Sequence, residues 1–402
     1  MPVEIPRLSE AFIQNIRGYS LTEIAYELCS TLLQGAIPVD DLHRLINDSM
    51  TFPAPIVQVS DDVYSLELWH GPTLAFKDFG ARFMAQLMAY FNQKNDTELV
   101  ILVATSGDTG GAVASGFHKT EGTKVVILYP SGKVSPLQEK QLTTLGDNIL
   151  ALEINGTFDD CQDLVKQAFL DAELNAKIRL TSANSINIAR LIPQMFYYFE
   201  AYKQLPHHEK ELVFVVPSGN FGNLTAGLLA KRMGLPVSKF IAATNANDVV
   251  AQYLENGVYN PRPSVRTLSN AMDVGAPSNF VRMTDLYEND WNEIKKDIIG
   301  YTFTDEETRA AMQTCYTKTG YILDPHGAVA YLAVKDYQKT HDCTAIFLET
   351  AHPAKFLEDT ESILNQKIKI PARLADLANK EKVADFLQTD FKSFKNWLLE
   401  YL

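Results

Sequence analysis

The sequence of 402 residues has little cysteine and no long apolar run. Its four cysteines (Cys29, Cys161, Cys315 and Cys343) lie far apart and form no CxxC pair, which argues against a disulfide framework or a cysteine-ligated zinc site. No stretch reaches the roughly 18 apolar residues that a membrane span needs. The first residues have neither the basic nor the apolar region of a secretory signal, so we expect a cytoplasmic protein that does not contact membranes.

Basic residues are also fewer than acidic ones. With 36 Lys+Arg against 49 Asp+Glu, the formal charge is −13, which argues against a nucleic-acid-binding protein with a basic face. The sequence contains no HExxH, GxSxG or Walker A motif, so a metalloprotease, a serine hydrolase of that type and a P-loop nucleotide site are not predicted, and no metal site is expected. The length allows about two or three domains.

What the sequence does contain, from residue 99 onward, is a series of short β-branched runs that alternate with stretches of helical periodicity. Nearly continuous apolar runs are typical of strands that are buried on both faces of a parallel sheet. The runs cover residues 99–103, 125–128, 149–152, 212–216, 240–243 and 345–348. They fall into two groups separated near residue 205, which predicts an α/β fold with two open, twisted, mainly parallel sheets flanked by helices.

The same pattern predicts a domain organisation. Residues 1–50 have helical spacing and form a helical N-terminal region, whereas residues 57–68 alternate like an antiparallel hairpin. We assign residues 51–89 and 205–402, with a helical tail from residue 371, to a large ligand-binding domain. Residues 90–204 form a smaller, mobile α/β domain.

Two glycine-rich segments follow predicted strands, where ligands bind in open α/β sheets. Residues 105–111 (TSGDTGG) offer hydroxyls and helix N-terminal amides, which favour an anion site over a simple capped turn. Residues 217–223 (PSGNFGN) carry two glycines three apart, which can form a backbone nest for a phosphate. Alone, this second loop is a weak signal, and a structural turn stays open as the alternative.

Two further segments are less clear from their residues alone. Lys77 stands between Phe76 and Phe79 after a small, apolar loop. Burial would lower the pKa of such a lysine and provide the free amine that forms imines, but a surface lysine beside aromatic core is the simpler interpretation. Residues 349–353 (ETAHP) are typical of a strand end followed by an N-cap.

Taken together, these segments resemble the motifs of the threonine synthase family, which are pyridoxal-phosphate enzymes of the tryptophan-synthase β-like fold (fold type II). The resemblance rests on HGPTLAFKDFG (70–80), SGDTGG (106–111), PSGNFGN (217–223) and ETAHPAKF (349–356). SGKVS (131–135), ANSINIAR (183–190) and NAMDVGAPSN (270–279) resemble the same family. The motifs occur in the family's order along nearly the whole chain, which makes the match specific.

The resemblance implies pyridoxal 5'-phosphate as the cofactor and Lys77 as the catalytic residue that forms the Schiff base with it. The phosphate of the cofactor would lie on the backbone of the loop formed by Ser218, Gly219, Asn220, Phe221, Gly222 and Asn223. Thr350 matches the residue that contacts the pyridine nitrogen, and Asp108 matches a position near the 3-hydroxyl. Because Thr350 is a neutral hydroxyl, we expect a weaker electron sink than a carboxylate partner would produce.

The implied substrate is O-phospho-L-homoserine, a small molecule with a carboxylate and a phosphate. Its carboxylate is expected at Thr105, Ser106 and Thr109. Its phosphate is expected at the side chains of Lys133, Ser185, Asn187 and Arg190. Three of these have a structural alternative: Lys133 as a solvated loop lysine, Asn187 as a helix cap and Arg190 in an ion pair with a nearby acid.

The implied activity is a lyase reaction of threonine biosynthesis, in which γ-elimination of phosphate and β-hydration produce L-threonine. Another pyridoxal-phosphate lyase of the same fold, such as a dehydratase or a phospho-lyase of the threonine-synthase-like type, is the main alternative. An anion-binding module without catalysis is a second alternative, from a different class. We expect a monomer or a homodimer.

Overall fold

The structure is a computed structural model that describes residues 4–93 and 97–402. It divides into two compact units, each built from separate parts of the chain. Unit 1 comprises Met1–Phe76 and Leu191–Lys369, and unit 2 comprises Lys77–Arg190 and Ile370–Leu402. None of the helices that the structure describes has the length and apolar character needed to cross a membrane.

The described strands are β1 (Ile56–Ser60), β2 (Val63–Glu67), β3 (Leu99–Ala104), β4 (Thr123–Pro130), β5 (Ile149–Ile154), β6 (Arg179–Ser182), β7 (Glu211–Pro217), β8 (Lys239–Thr244), β9 (Ile298–Thr302), β10 (Cys343–Glu349) and β11 (Asp385–Leu387).

The described α-helices are α1 (Glu10–Gln14), α2 (Leu21–Leu33), α3 (Val39–Ser49), α4 (Lys77–Asn92), α5 (Asp108–Phe117), α6 (Pro136–Thr143), α7 (Phe158–Leu170), α8 (Ala172–Lys177), α9 (Gln194–Gln204), α10 (Gly222–Met233), α11 (Val249–Asn256), α12 (Phe280–Asp285), α13 (Trp291–Asp297), α14 (Asp305–Thr319), α15 (Pro325–Tyr337), α16 (Leu357–Leu364), α17 (Ala372–Ala378) and α18 (Phe391–Tyr401).

The sheet of unit 1 has six strands in the order β1-β2-β10-β7-β8-β9. Only β1 and β2 are antiparallel, and they form the predicted hairpin, with Val57 opposite Ser65. The inner strands β7 and β10 are buried almost throughout, because helices such as α15 and α10 cover the sheet. Their continuous apolar runs are therefore explained by burial on both faces.

The sheet of unit 2 has five parallel strands in the order β11-β5-β4-β3-β6. The prediction of two mainly parallel sheets flanked by helices is confirmed. One face of the unit 2 sheet packs on α4 and α5, and the other packs on α7 and the C-terminal helix α18.

The N-terminal region consists of short helices with clear local signals. Helix α2 begins with a capping box, in which the Ser20 hydroxyl accepts from the Glu23 N–H and the Glu23 carboxylate accepts from the Ser20 N–H. Helix α3 has Asp40 and Asp41 in its first turn, where negative charge is favourable.

The boundaries of the two units lie at 76/77 and 190/191, whereas the sequence predicted them at 89/90 and 204/205. The tail after Lys369 belongs to unit 2, although the prediction assigned it to the large domain. Helix α4 packs on α5 and joins unit 2, whereas α9 packs on α10 and α2 and joins unit 1. The tail is not entirely helical, because β11 pairs with β5. Phe394 and Leu398 of α18 are fully buried in the core of unit 2, which explains why the tail returns there.

Candidate active site

Lys77 is the first residue of α4 and is half-buried. The segment before it is fixed within unit 1 by antiparallel pairing with the residues that follow β10. The Phe76 N–H donates to the Thr350 carbonyl (2.8 Å), and the His352 N–H donates to the Leu74 carbonyl (3.0 Å). Backbone hydrogen bonds of this kind hold Phe76, the neighbour of Lys77 in the sequence, in a defined conformation.

The loop after β7 brings its backbone close to a neighbouring segment of unit 1. A Cβ atom on Gly219 would lie 2.8 Å from the Cα atom of Met272, so only glycine fits this position without a shift. Phe221 follows in a left-handed conformation with φ of 60°. The Ser218 hydroxyl donates to the Val216 carbonyl (2.8 Å) and is not directed at the helix terminus.

Helix α10 begins directly after this loop, without a side-chain cap. Among the described residues, none accepts a hydrogen bond from the N–H groups of Gly222, Asn223 or Leu224. Three consecutive N–H donors at the positive end of a helix of 12 residues form a site for a phosphate dianion. The residues present therefore fit the phosphate group of pyridoxal phosphate.

Two tyrosines fix the side chain of Asn223 by hydrogen bonds. Its Oδ1 accepts from the hydroxyls of Tyr197 (2.6 Å) and Tyr198 (2.7 Å), and all three side chains are buried. Its amide nitrogen is buried and has no hydrogen-bond partner among the described residues. Asn220 is bonded differently, because its Oδ1 accepts from the N–H and the hydroxyl of Ser278 (both 3.1 Å).

Thr350 is buried at the end of β10, and its neighbour Glu349 is fully buried. Glu349 lies in a small group of buried titratable residues with Asp324 and His326, which the sequence analysis did not identify. The only local signal was the Asp324-Pro325 pair, a typical helix start, which does not indicate that a second acid is buried beside it.

In unit 2, a side chain of the loop after β3 accepts hydrogen bonds from two backbone N–H groups of the same loop. The Thr105 hydroxyl oxygen is buried and accepts from the N–H groups of Gly107 (2.9 Å) and Gly110 (2.8 Å). Ser106 is exposed and Thr109 is half-buried, and none of the described residues accepts from their N–H groups. Thr105 thus shapes the loop, while Ser106 and Thr109 provide donors for a ligand.

Asp108 is buried at the start of α5 and accepts a hydrogen bond at Oδ1 from the side-chain amide of Gln138 (2.8 Å). Gln138 lies on α6 and is 2% exposed. A Cβ atom on Gly107 would lie 2.8 Å from the Gln138 side chain, so a glycine permits this contact. The hydrogen bond from Gln138 fixes the orientation of the Asp108 carboxyl at the start of α5.

Three of the four side chains expected at the substrate phosphate, those of Ser185, Asn187 and Arg190, lie in one short segment before α9. Residues 188–190 form a single 3₁₀ turn, and Arg190 is 3% exposed. Its Nη1 donates to the Ala183 carbonyl (2.7 Å), and burial lowers its pKa to about 10, partly offset by the nearby Asp78 carboxylate. Arg190 therefore has an evident structural role in unit 2.

The other three candidates lie at the surface of unit 2 or near it. Asn187 is half-buried and bonds its own turn, since its Oδ1 accepts from the Ala189 N–H (3.1 Å), as the capping alternative expects. Ser185 is also half-buried. Lys133 is exposed in the turn after β4, and the pKa of the Asp160 carboxyl is lowered mainly by Thr157 and to a smaller extent by Lys133. In the part of the chain that the structure describes, no three His, Cys, Asp or Glu residues are grouped as metal ligands.

Comparison with known proteins agrees with these features. Residues 51–345 match the family described as pyridoxal-phosphate dependent enzyme, residues 1–50 match the threonine synthase N terminus, and residues 327–397 match the threonine synthase C-terminal region. The threonine synthase of Haemophilus influenzae is 48% identical over 401 residues, which covers 99% of this chain and 92% of that protein.

Solved structures show the same relationship. The crystal structure of threonine synthase from Escherichia coli has a TM-score of 0.93 and 45% identity, covering 100% of this chain and 93% of that one. The structure of threonine synthase from Brucella melitensis, which has bound pyridoxal phosphate, has a TM-score of 0.91 and 35% identity, with coverage of 100% and 92%. The chain therefore belongs to the threonine synthase family of pyridoxal-phosphate-dependent enzymes.

Proposed function

We propose that this chain is a threonine synthase, which converts O-phospho-L-homoserine and water to L-threonine and inorganic phosphate. The observation that carries the proposal is the uncapped N-terminus of α10, where three N–H donors are available to an anion. Family membership supports the reaction. The four cysteines are buried and form no disulfide, which is consistent with a cytoplasmic setting.

Lys77 is proposed as the residue that attaches the cofactor covalently, and residues 218–223 as the holders of its phosphate. Thr350 would contact the pyridine nitrogen, and Asp108 would lie at the 3-hydroxyl. When bound, the cofactor delocalises the electron pair that remains after proton removal from the substrate. A hydroxyl at Thr350 has no negative charge, so it does not hold a proton on the ring nitrogen as a carboxylate would.

The remaining roles belong to the side chains themselves. As a free amine, the Nζ of Lys77 would accept the proton from the α-carbon of the substrate and later supply one there, because this carbon carries one hydrogen in both the substrate and the product. The N–H groups of Ser106 and Thr109 would bind the substrate carboxylate, with Thr105 holding the loop in shape. Lys133, Ser185, Asn187 and Arg190 are proposed for the substrate phosphate. Arg190 also donates through Nη1 to the Ala183 carbonyl.

The assay that tests this function measures all products of O-phospho-L-homoserine in the presence of pyridoxal phosphate. Threonine and phosphate in equal amounts are expected. Phosphate with 2-oxobutyrate in place of threonine would instead identify a lyase of the dehydratase type, and the proposal would be wrong.

Substitution K77A tests the attachment point. We expect loss of the visible absorbance of the attached cofactor and a fall in turnover by at least about 10³-fold, because both the covalent link and the proton carrier are removed. Borohydride reduction and peptide mapping of the unmodified protein should find the cofactor on residue 77. The control is K339A, at an exposed lysine paired with Asp336, which should retain both properties. A reduced adduct at another lysine would contradict the assignment.

A further inference from the structure

Unit 1 contains three buried titratable side chains that the proposed reaction does not use. Asp324 and Glu349 are fully buried, and His326 is 2% exposed. Asp324 caps α15, His326 is the second residue of that helix, and Glu349 is the last residue of β10. We call these three residues the acid–histidine network. Burial of ionisable groups costs free energy unless they are paired, so the contacts of the network require an explanation.

The contacts of His326 determine which of its nitrogens carries the proton. Asp324 Oδ1 accepts from the His326 backbone N–H (2.8 Å) and lies 2.6 Å from the ring Nδ1. The other ring nitrogen, Nε2, accepts from the backbone N–H of Ala271 (3.2 Å). Because a backbone N–H can only donate, Nε2 is unprotonated, and the proton is on Nδ1, facing Asp324.

Glu349 completes the network as a neutral acid. Its Oε2 accepts from the Asp324 backbone N–H (3.3 Å), and its carboxyl packs against Gly327, where a Cβ atom would lie 2.1 Å from Oε1. Burial and the charge of Asp324 raise the pKa of Glu349 well above its usual value. Burial opposes the ionisation of Asp324, but His326 and Glu349 together hold its pKa below the usual value.

Two carboxyl oxygens, Asp324 Oδ2 and Glu349 Oε1, are buried with no hydrogen-bond partner among the described residues. A proton on Glu349 would give Asp324 Oδ2 the donor that it lacks. The network then carries a single negative charge, on Asp324, with one proton donor on each side: the acid of Glu349 and the Nδ1–H of His326. This arrangement satisfies the buried groups without any lysine or arginine.

The far end of the network contacts the backbone beside the phosphate-binding loop. Ala271 lies in a 3₁₀ turn (Asn270–Met272), and the Ala271 carbonyl and Met272 Cα are the atoms nearest to a Cβ on Gly219, at 3.1 and 2.8 Å. The near end, Glu349, immediately precedes Thr350. One chain of hydrogen bonds thus reaches from the end of β10 to the segment against which the loop of residues 218–223 packs.

We propose that the acid–histidine network is a positioning device, in which the unprotonated Nε2 of His326 holds Ala271 and thereby fixes the backbone that shapes the cofactor-phosphate loop. The proposal rests on the proposed function only in that the ligand of this loop is the phosphate of pyridoxal phosphate. The three residues are positioning residues and not catalytic ones, since they act through Ala271 and Gly219.

The first test reads the state of His326 in the unmodified protein without cofactor. Long-range ¹H–¹⁵N correlation spectra of ¹⁵N-histidine-labelled protein, at mildly alkaline pH, should show His326 with its proton on Nδ1. His118 is the internal reference, because its Nε2 lies 2.8 Å from Asp147 and should carry the proton there. Assignment uses H326Q, which removes one signal. A proton on Nε2 of His326 would overturn the proposal.

The second test compares H326Q with H326N, which each reproduce one half of the ring. The terminal amide of glutamine reaches the position of Nε2 and can accept from Ala271, whereas that of asparagine reaches only the position of Nδ1 and can donate to Asp324. We expect H326N to weaken binding of pyridoxal phosphate roughly tenfold and H326Q to keep it within about threefold.

The same titrations with pyridoxal, which lacks the phosphate, separate positioning from general damage. Pyridoxal binding should be the same, within about twofold, in both variants and the unmodified protein. Equal losses for the two ligands, or equal affinities of the two variants for pyridoxal phosphate, would overturn the proposal. If the unmodified protein bound no pyridoxal phosphate, the proposed function would fail, whereas the spectrum of His326 would still decide whether the network exists.

A third measurement addresses Glu349. The infrared difference spectrum between the unmodified protein and E349Q at neutral pH should contain the carbonyl stretch of a protonated carboxylic acid. Carboxylate bands in its place would show that Glu349 is ionised and that the charge assignment of the network is wrong.

Discussion

Residues 105–111 in unit 2 and residues 217–223 in unit 1 both follow a buried strand and lead into the N-terminus of a helix. In the first junction, the Thr105 hydroxyl accepts from two N–H groups of the loop. In the second, the Ser218 hydroxyl turns back to its own strand, and the first N–H groups of α10 are left for an external anion. The same position in a fold can therefore be capped by its own side chain or kept open for a ligand.

The difference depends on one side chain and one backbone contact. Thr105 lies where its oxygen can accept from the N–H groups of Gly107 and Gly110. Gly219 lets the second loop approach Met272 so closely that its backbone, and not a side chain, lines the helix end. An acceptor in the first loop fixes its conformation and uses the N–H groups of Gly107 and Gly110, whereas the second loop leaves the first three N–H groups of α10 to a ligand.

The self-capped junction should respond most strongly to loss of its acceptor. Substitution T105V leaves two buried N–H groups without a partner, which should lower the free energy of unfolding by about 2–4 kcal/mol. T105S keeps the oxygen and loses only a buried methyl, at a cost of about 1 kcal/mol. Urea unfolding curves of the two variants measure this difference. Equal destabilisation would show that the methyl group, and not the hydroxyl, supports the loop.

The open junction should respond in cofactor affinity. In G219A the added methyl meets the backbone of Met272, and the required shift should cost about 1–3 kcal/mol, or roughly 5- to 150-fold in the Kd for pyridoxal phosphate. Absorbance titration measures the Kd. G18A is the matched control, because no atom lies within 4 Å of the position of its added methyl. Unchanged affinity in G219A would mean that the loop does not hold the phosphate in this conformation.

The smallest effect on cofactor affinity is expected from the hydrogen bonds to Asn223, in the first turn of α10. Y197F removes one of the two hydroxyls that bond its Oδ1, and the other remains, so pyridoxal-phosphate affinity should fall by only about 0.5–1 kcal/mol. The double variant Y197F/Y198F should lose more than the sum of the single losses, because Oδ1 then has no donor. Additive losses would indicate that the tyrosines act independently of Asn223. Y316F, which loses a hydrogen bond to Gln366 on another part of unit 1, is the control.

The sequence predicted the inner strands of both sheets and missed three at the edges. β7 and β10 are covered on both faces, so their apolar runs are continuous and easily recognised. β6, β9 and β11 lie at sheet edges, are partly exposed and have few consecutive apolar residues. A local pattern does not identify such strands, because their pairing is determined by the neighbouring strand and not by their own composition.

Candidate residues show the same limit. The loops around Gly219 and Thr105 were found because glycines and hydroxyls are concentrated over a few positions. The group formed by Asp324 and Glu349 was not predicted, because the two acids are 25 residues apart in the sequence and become neighbours only when α15 packs on β10. The burial of Arg190 and its hydrogen bond to the Ala183 carbonyl were not predicted either, because spacing along the chain does not reveal such a contact.

The return of the tail to unit 2 has a consequence for the order in which the protein is made. Strand β11 and the buried residues of α18 are synthesised after all of unit 1, although unit 2 begins at Lys77. Unit 1 likewise starts at the N-terminus and is finished only by Leu191–Lys369. Each unit completes its core only after part of the other unit has been synthesised, so nascent chains should expose incomplete cores for longer than a protein of the same size with consecutive domains.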